Sequence, residues 1–218
     1  MKGFRIPGVL VAALAVGAAA GGCINLGHPY LQRRYYIIEA SRPAEGQPSA
    51  SAKPTAGAEP TATALKLRRM RVSPSFEGKE FVYQTGPLSY RSDFYNELFL
   101  NPADIFTEQT RRWIAAADLF GHVVDANSNL DATHYLEGAV NALYGDYSDR
   151  SSPKAVLEMQ FLLVKDTGAE PRVILQRNYR EVTPLKDDLP ETLVEGWRQG
   201  LMKILAAFEA DLRKADLK

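Results

Sequence analysis

The 218 residues contain one cysteine, three histidines and two tryptophans. A lone cysteine, Cys23, excludes an intramolecular disulfide and a cysteine-built metal cluster. The histidines are His28, His122 and His134. No two of them stand at metal-ligand spacing, and the residues read as surface or sheet-edge histidines. Neither sign of charge prevails, with 26 basic against 26 acidic residues, so nucleic acid is not an expected partner. The patterns G-x-S-x-G, H-E-x-x-H and G-x-x-x-x-G-K-[ST] are absent, which removes the serine elbow, the zinc-protease helix and the P-loop. The expectation is a non-catalytic chain without cofactor or metal. Beyond the N-terminus no apolar stretch approaches the roughly 18 residues a spanning helix needs.

That N-terminus is the most informative segment. Lys2 and Arg5 form a short basic region, and an apolar run follows from Ile6 to Ala20. The run is too short to span a bilayer but fits the core of an export signal. It ends in Ala20-Gly21-Gly22-Cys23. Small residues directly before a cysteine resemble the bacterial lipobox, in which the thiol is acylated and the chain is cut just before it. Ala20 stands where that motif usually carries Leu. Acylation disposes of a thiol that would otherwise be exposed in an oxidising compartment. Residues 1–22 are thus expected to be a signal peptide, Cys23 the lipid attachment site, and residues 23–33 a membrane tether. Ile24 replaces the Asp that favours inner-membrane retention in enteric bacteria. The expected location is the periplasmic face of the outer membrane, with the inner membrane left open. Losing the leader removes two basic residues and no acidic ones, leaving the mature body slightly acidic.

Residues 34–215 read as one domain interrupted by an insert. Tyr35-Tyr36-Ile37-Ile38 is a first strand. Residues 41–64 hold Pro43, Pro48, Pro54 and Pro60 among small residues, a composition that cannot bury a core. Leu65 and Leu67 share one parity and Met70 and Val72 the other, so that strand either bulges near Arg68-Arg69 or is covered on both faces. Lys66, Arg68, Arg69 and Arg71 read as a solvated face and edge protection, with a phosphate patch as the alternative. Residues 80–95 form a hairpin turning at Gly86-Pro87. Asn101-Pro102 starts a helix with Phe106, Thr110, Trp113 and Ala117 on its stripe, ended by Gly121.

Three long strands follow, with faces Leu136/Gly138/Val140/Ala142/Tyr144, Leu157/Met159/Phe161/Leu163 and Val173/Leu175/Tyr179. Their short connections predict antiparallel pairing. Pro190 opens a last helix with the stripe Leu193, Trp197, Leu201, Ile204, Leu205, Phe208 and Leu212. That stripe is expected to pack on the sheet, which needs a cover. The fold class is therefore α+β: a mainly antiparallel sheet covered by two helices in a single two-layer domain. Asp146 and Asp149 flank a turn and are expected to hydrogen-bond their own backbone rather than a cation. The strand tyrosines Tyr83, Tyr90, Tyr95, Tyr135, Tyr144, Tyr147 and Tyr179 suit ordinary sheet packing, or a face for an apolar ligand or protein.

Several of these segments together resemble a known family. Phe81-Val82-Tyr83-Gln84-Thr85-Gly86 and Tyr90-Arg91-Ser92-Asp93-Phe94-Tyr95-Asn96-Glu97 are similar to the hairpin of the ABC-type transport auxiliary lipoproteins, the PqiC-like family. Leu136-Glu137-Gly138-Ala139-Val140, Leu143-Tyr144-Gly145-Asp146-Tyr147, Ala155-Val156-Leu157-Glu158, and Trp197 with Asp211-Leu212 follow in that family's order. The resemblance covers most of residues 65–213. It implies a non-catalytic, membrane-anchored partner of an ABC/MCE-type transport system for intermembrane lipid transport. Such a chain would dock an MCE-family protein, as a homo-oligomer, with ATPase and permease on other chains. It assigns no catalytic residue. The competing expectations are a structural envelope lipoprotein that aids outer-membrane protein or lipopolysaccharide assembly, and a periplasmic hydrolase with an unrecognised site.

Overall fold

Period-two apolar patterning makes the second half of the chain a set of long strands, and everything else is arranged around the central one. The computed structural model describes residues 32–42 and 63–217. The elements are β1 (Arg34–Tyr36), β2 (Ala64–Leu67), β3 (Arg71–Val72), a 3₁₀ turn (Pro74–Phe76), β4 (Glu80–Gly86) and β5 (Ser89–Leu98), followed by helix α1 (Pro102–Ala116), β6 (His122–Asp125), β7 (His134–Asp146), β8 (Lys154–Lys165), β9 (Arg172–Pro184) and helix α2 (Pro190–Leu212). Cys23, the leader and the tether up to residue 31 lie outside the described residues, as does the stretch 43–62 of the insert. The insert's ends do have structure. Arg42 reaches Glu209, and Ala64 is buried in β2.

The nine strands among the described residues form one mixed sheet, which corrects the mainly antiparallel expectation. The hairpins β4–β5, β7–β8 and β8–β9 are antiparallel. The other edge of β7 takes three short strands in succession, all parallel: β2 at His134–Leu136, β3 at Ala139-Val140 and β4 at Gly145-Asp146. β6 adds to β2 and β1 adds to β5, again parallel. Parallel neighbours need a crossover rather than a tight turn, and α1 lies between β2 and its partner β6 in the chain. β2 is therefore interior, between β6 and β7, so Lys66 does not protect an edge, whereas Arg71 is exposed on β3, which pairs with β7 alone among the described residues. Lys66 donates to the Ser128 carbonyl, Arg68 pairs with Glu137 and Arg69 with Asp104.

Both helices contribute to the same core. The whole predicted stripe of α2, from Leu193 to Leu212, is buried against Leu157, Met159, Phe161 and Leu163 of β8. Phe208 stacks on Phe161 with centroids 4.1 Å apart, and Trp197 meets Phe81 edge to face at 5.1 Å. Burying side chains of this size stabilises the fold by about 1.5–3 kcal/mol each. Gly196 lets α2 lie close to the sheet, since a Cβ there would stand 2.6 Å from the Ala155 Cβ. α1 adds Ile105, Phe106, Trp113 and Ile114.

Several local expectations are corrected. β1 ends at Tyr36, although Ile38 beyond it is fully buried. α1 ends at Ala116, with Ala117 as its cap, rather than running to Gly121, because Asp118 takes a left-handed conformation at φ 54°. Aspartate tolerates this region better than most residues. β7 bulges between Val140 and Ala142, so its core face continues through Leu143. Ala142 and Tyr144 point the other way and cluster with Val156, Phe76 and Val82. A second irregularity, between Leu163 and Val164, leaves Leu175 in the core and Val173 exposed. His134 is not a surface residue but is fully buried.

Candidate functional site

The hairpin β4–β5 carries the largest departure from regular pairing. Glu80 pairs with Glu97 and Val82 with Ser92, so Phe81 alone stands opposite the four residues Asp93–Asn96. A bulge of this kind bends its strand and re-aims side chains. Asp93 holds it in place. Its carboxylate accepts the backbone N–H of Tyr95 at 2.7 Å and of Asn96 at 3.1 Å, and the Asn96 amide at 2.7 Å. The Tyr83 hydroxyl donates a fourth bond at 2.8 Å. Burial pushes the Asp93 carboxyl up, but these donors outweigh it and hold it below the usual carboxylate range.

Behind the bulge lies a cleft of about 320 Å³. β4 supplies Tyr83 and Thr85, β5 supplies Arg91 and Asp93, and the end of β7 with its turn supplies Tyr147 and Arg150. Asp188 and Pro190, at the start of α2, close the opposite wall. Tyr83 and Tyr147 meet edge to face at 5.2 Å. Burial, followed by the negative charges of Asp188 and Asp187, pushes the Tyr147 hydroxyl up to about 12. Burial and the bond to Asp93 push Tyr83 up as well. Both phenols stay protonated at neutral pH, as donors rather than bases. The Tyr147 oxygen is buried without a hydrogen-bond partner among the described residues. The cleft thus offers guanidinium groups, carboxylates and neutral phenols, with Tyr83 and Asp93 bonded to each other across it.

The opposite side of the bulge is apolar. Phe94 and Tyr95 project from it, edge to face at 5.2 Å, and the Arg33 guanidinium lies 4.4 Å over the Phe94 ring. Arg33 also pairs with Glu97 at 2.9 Å, and Tyr35 of β1 meets Phe99 at 6.3 Å. At the far end of the hairpin, Leu88 is 95% exposed.

Other residues singled out from sequence do not converge. Cys23 and His28 lie outside the described residues. His122 is exposed on β6 and His134 is buried on β7, with β2 between those strands. No group of three acidic, histidine or cysteine side chains suited to a metal occurs among the described residues. Asp146 and Asp149 each accept the backbone N–H two residues on, as turn aspartates do. Tyr90 and Tyr144 pack with Phe76 on the outer face of the sheet. Tyr135 sits under Arg68, and Tyr179 donates to Asp211. Asp93 as the organiser of the bulge was not read from sequence. Its only signal there is an acidic residue two positions before Tyr95, a common turn pattern.

No protein-family model and no curated protein matches the sequence. Solved structures do match the fold. The crystal structure of protein XCC0632 from Xanthomonas campestris, described as family DUF330, superposes with a TM-score of 0.62 at 14% identity, over 80% of this chain and 92% of that one. An uncharacterized protein gives a TM-score of 0.62 at 16% identity, over 83% of this chain and 99% of that one. At such identities the likeness is one of fold: this mixed sheet with two covering helices is similar, over four fifths of the chain, to the fold of XCC0632.

Proposed function

We propose that the chain is a non-catalytic envelope lipoprotein that serves as an auxiliary component of an ABC/MCE-type transport system. Acylation of Cys23 would hold it on the periplasmic face of the outer membrane, where it docks an MCE-type assembly carrying lipid between the membranes. The observation that carries this reading is the bulged hairpin. The Asp93 carboxylate is committed to fixing its shape, accepting four hydrogen bonds, while its tip presents Leu88 almost wholly to solvent. A rigid, projecting loop with an apolar knob suits a protein partner better than a reaction. The segments that resemble the auxiliary lipoproteins also fall on this hairpin, on β7 and β8, and on α2.

Photo-crosslinking in cells tests the proposal. A photoreactive residue at position 88 is expected to capture an MCE-type protein, and deletion of the chain should disturb the lipid balance of the envelope. Capture of the outer-membrane assembly machinery instead, with lipid balance unchanged, overturns it in favour of an assembly role.

A further inference from the structure

We propose that the apolar side of the β1–β5 edge is a membrane-seating surface that lies in the headgroup region of the bilayer to which the chain is tethered. This rests on the reading of Cys23 as the lipid attachment site. The surface is formed by Tyr35, Ile37, Phe94, Tyr95, Phe99 and Leu100, with Phe94 64%, Phe99 59% and Tyr35 55% exposed. These are not scattered side chains. Tyr35 touches Phe99, Phe94 touches Tyr95, and Arg33, two residues before Tyr35 in the chain, lies over the Phe94 ring. A contiguous apolar patch on a water-facing strand edge marks a place that water does not permanently cover.

The position of the patch in the chain identifies the occupant. β1 begins at Arg34, directly after the ten or so residues that follow Cys23. Ten residues span at most about 35 Å, so the anchor keeps the start of β1 within that distance of the bilayer, a bound tighter than that on elements farther along the chain. The chemistry fits that place. Tyrosine and phenylalanine place an apolar body in the acyl boundary, tyrosine keeps its hydroxyl at the headgroups, and arginine lays its stem along apolar surface with its charge in the headgroup layer. Arg33 and Lys79 stand beside the patch, Arg33 over the Phe94 ring and Lys79 on the Phe99 carbonyl. The bulge is what makes the surface, because a regular β5 would not project Phe94 and Tyr95 together. The hairpin tip at Leu88 lies at the other end of β5, roughly 20 Å or more away at the usual strand rise. One hairpin thus has a membrane end and an end free to meet a partner.

The test uses the full chain made in cells, with lipid on Cys23 verified by incorporation of a labelled palmitate analogue and by mass spectrometry. Because Cys23 is the only native cysteine and is consumed by acylation, a second cysteine can be spin-labelled uniquely. Labels are placed by Phe94→Cys, Phe99→Cys and, as a remote control, Val173→Cys. The protein is reconstituted in phosphatidylethanolamine/phosphatidylglycerol vesicles. Collisions with oxygen, which concentrates in the bilayer, are compared with those of a water-soluble nickel complex. Oxygen should dominate at 94 and 99 and the nickel complex at 173. Nickel dominance at all three sites in the acylated protein overturns the inference alone. Shielding of 94 and 99 from both reagents also overturns it, in favour of a second copy or another protein on this face. Absence of lipid on Cys23 overturns the parent reading and the inference with it. All three substitutions replace exposed side chains, and unchanged thermal unfolding verifies that each variant is folded.

Discussion

Glu209 shows how one buried carboxylate can tie three parts of the fold together. It accepts the Trp113 indole N–H at 2.9 Å from α1, the Arg42 guanidinium at 2.9 and 3.0 Å, and Arg213 at 2.6 and 3.1 Å from the end of its own helix. Burial pushes its pKa up, but the hydrogen bonds from Arg42, Arg213 and Trp113 outweigh it and hold the carboxyl down at about 2, against an ordinary 4.5. A depressed carboxylate contributes stability that is full above the unfolded pKa and is lost as pH falls toward the folded one. The predicted window is therefore below about pH 4.5, with a loss on the order of 2 kcal/mol after solvent screening. Glu209→Gln should lower stability at pH 7 and flatten this part of the profile in urea titrations.

His134 acts in a higher window. It is fully buried, its Nδ1 meets the Thr133 hydroxyl at 2.9 Å, and burial followed by the charge of Lys165 pushes its pKa below 6.5. Its contribution is complete above pH 6.5 and is lost as pH falls through the lowered folded-state pKa, so His134→Phe should remove a pH dependence that begins below pH 6.5 while leaving the Glu209 one. Asp93 makes the third prediction at this scale. Asp93→Ala leaves two backbone N–H groups, a Tyr83 hydroxyl and an Asn96 amide without their acceptor. The expected cost is about 2–3 kcal/mol, with faster amide exchange at Tyr95 and Asn96 than at β8. Unchanged exchange there would show that the bulge does not depend on the carboxylate.

The last helix is the element that sequence described best. Its stripe has helical spacing on one side only, and every residue named on it is buried. The close approach at Gly196 could not be read the same way, because a glycine inside a helix signals nothing about what faces it. Gly196→Val should destabilise by about 1–3 kcal/mol through overpacking against Ala155 and Leu185. A thermal melt of the variant unshifted from that of the native chain would mean that α2 can lift off without cost. β7 was legible in extent but not in facing. Both faces of the sheet carry apolar residues at this point, so Ala142 and Tyr144 continue the alternation of Val140 in sequence while the bulge turns them to the outer cluster. The breaks in β2–β3 did show, because the parity changes between Leu67 and Met70 within a short run. The end of α1 did not, since an aspartate at positive φ leaves a weaker mark than a glycine.

At the scale of the molecule, the sheet's mixed character was hidden because strand direction follows from long connections, and the antiparallel expectation followed from the short ones alone. β8 and β9 obey it, whereas β2, β3 and β4 arrive at β7 from far away in the chain. The consequence is measurable. β7 is paired along one edge to β8 over nearly its whole length and along the other to three strands in turn, so opening it requires breaking contacts with most of the sheet. β1 has three residues and a single neighbour among the described strands. Native-state hydrogen exchange is expected to show the amides of β7 and β8 opening only with global unfolding, and those of β1 and the hairpin tip opening locally with much lower free energy. Membrane attachment through the β1–β5 surface should raise protection at β1 and leave β7 unchanged, because the core strand already exchanges at the global limit. Equal gains at both strands would mean instead that the bilayer stabilises the fold as a whole, and equal protection without vesicles would mean that β1 is held by the core rather than at its margin.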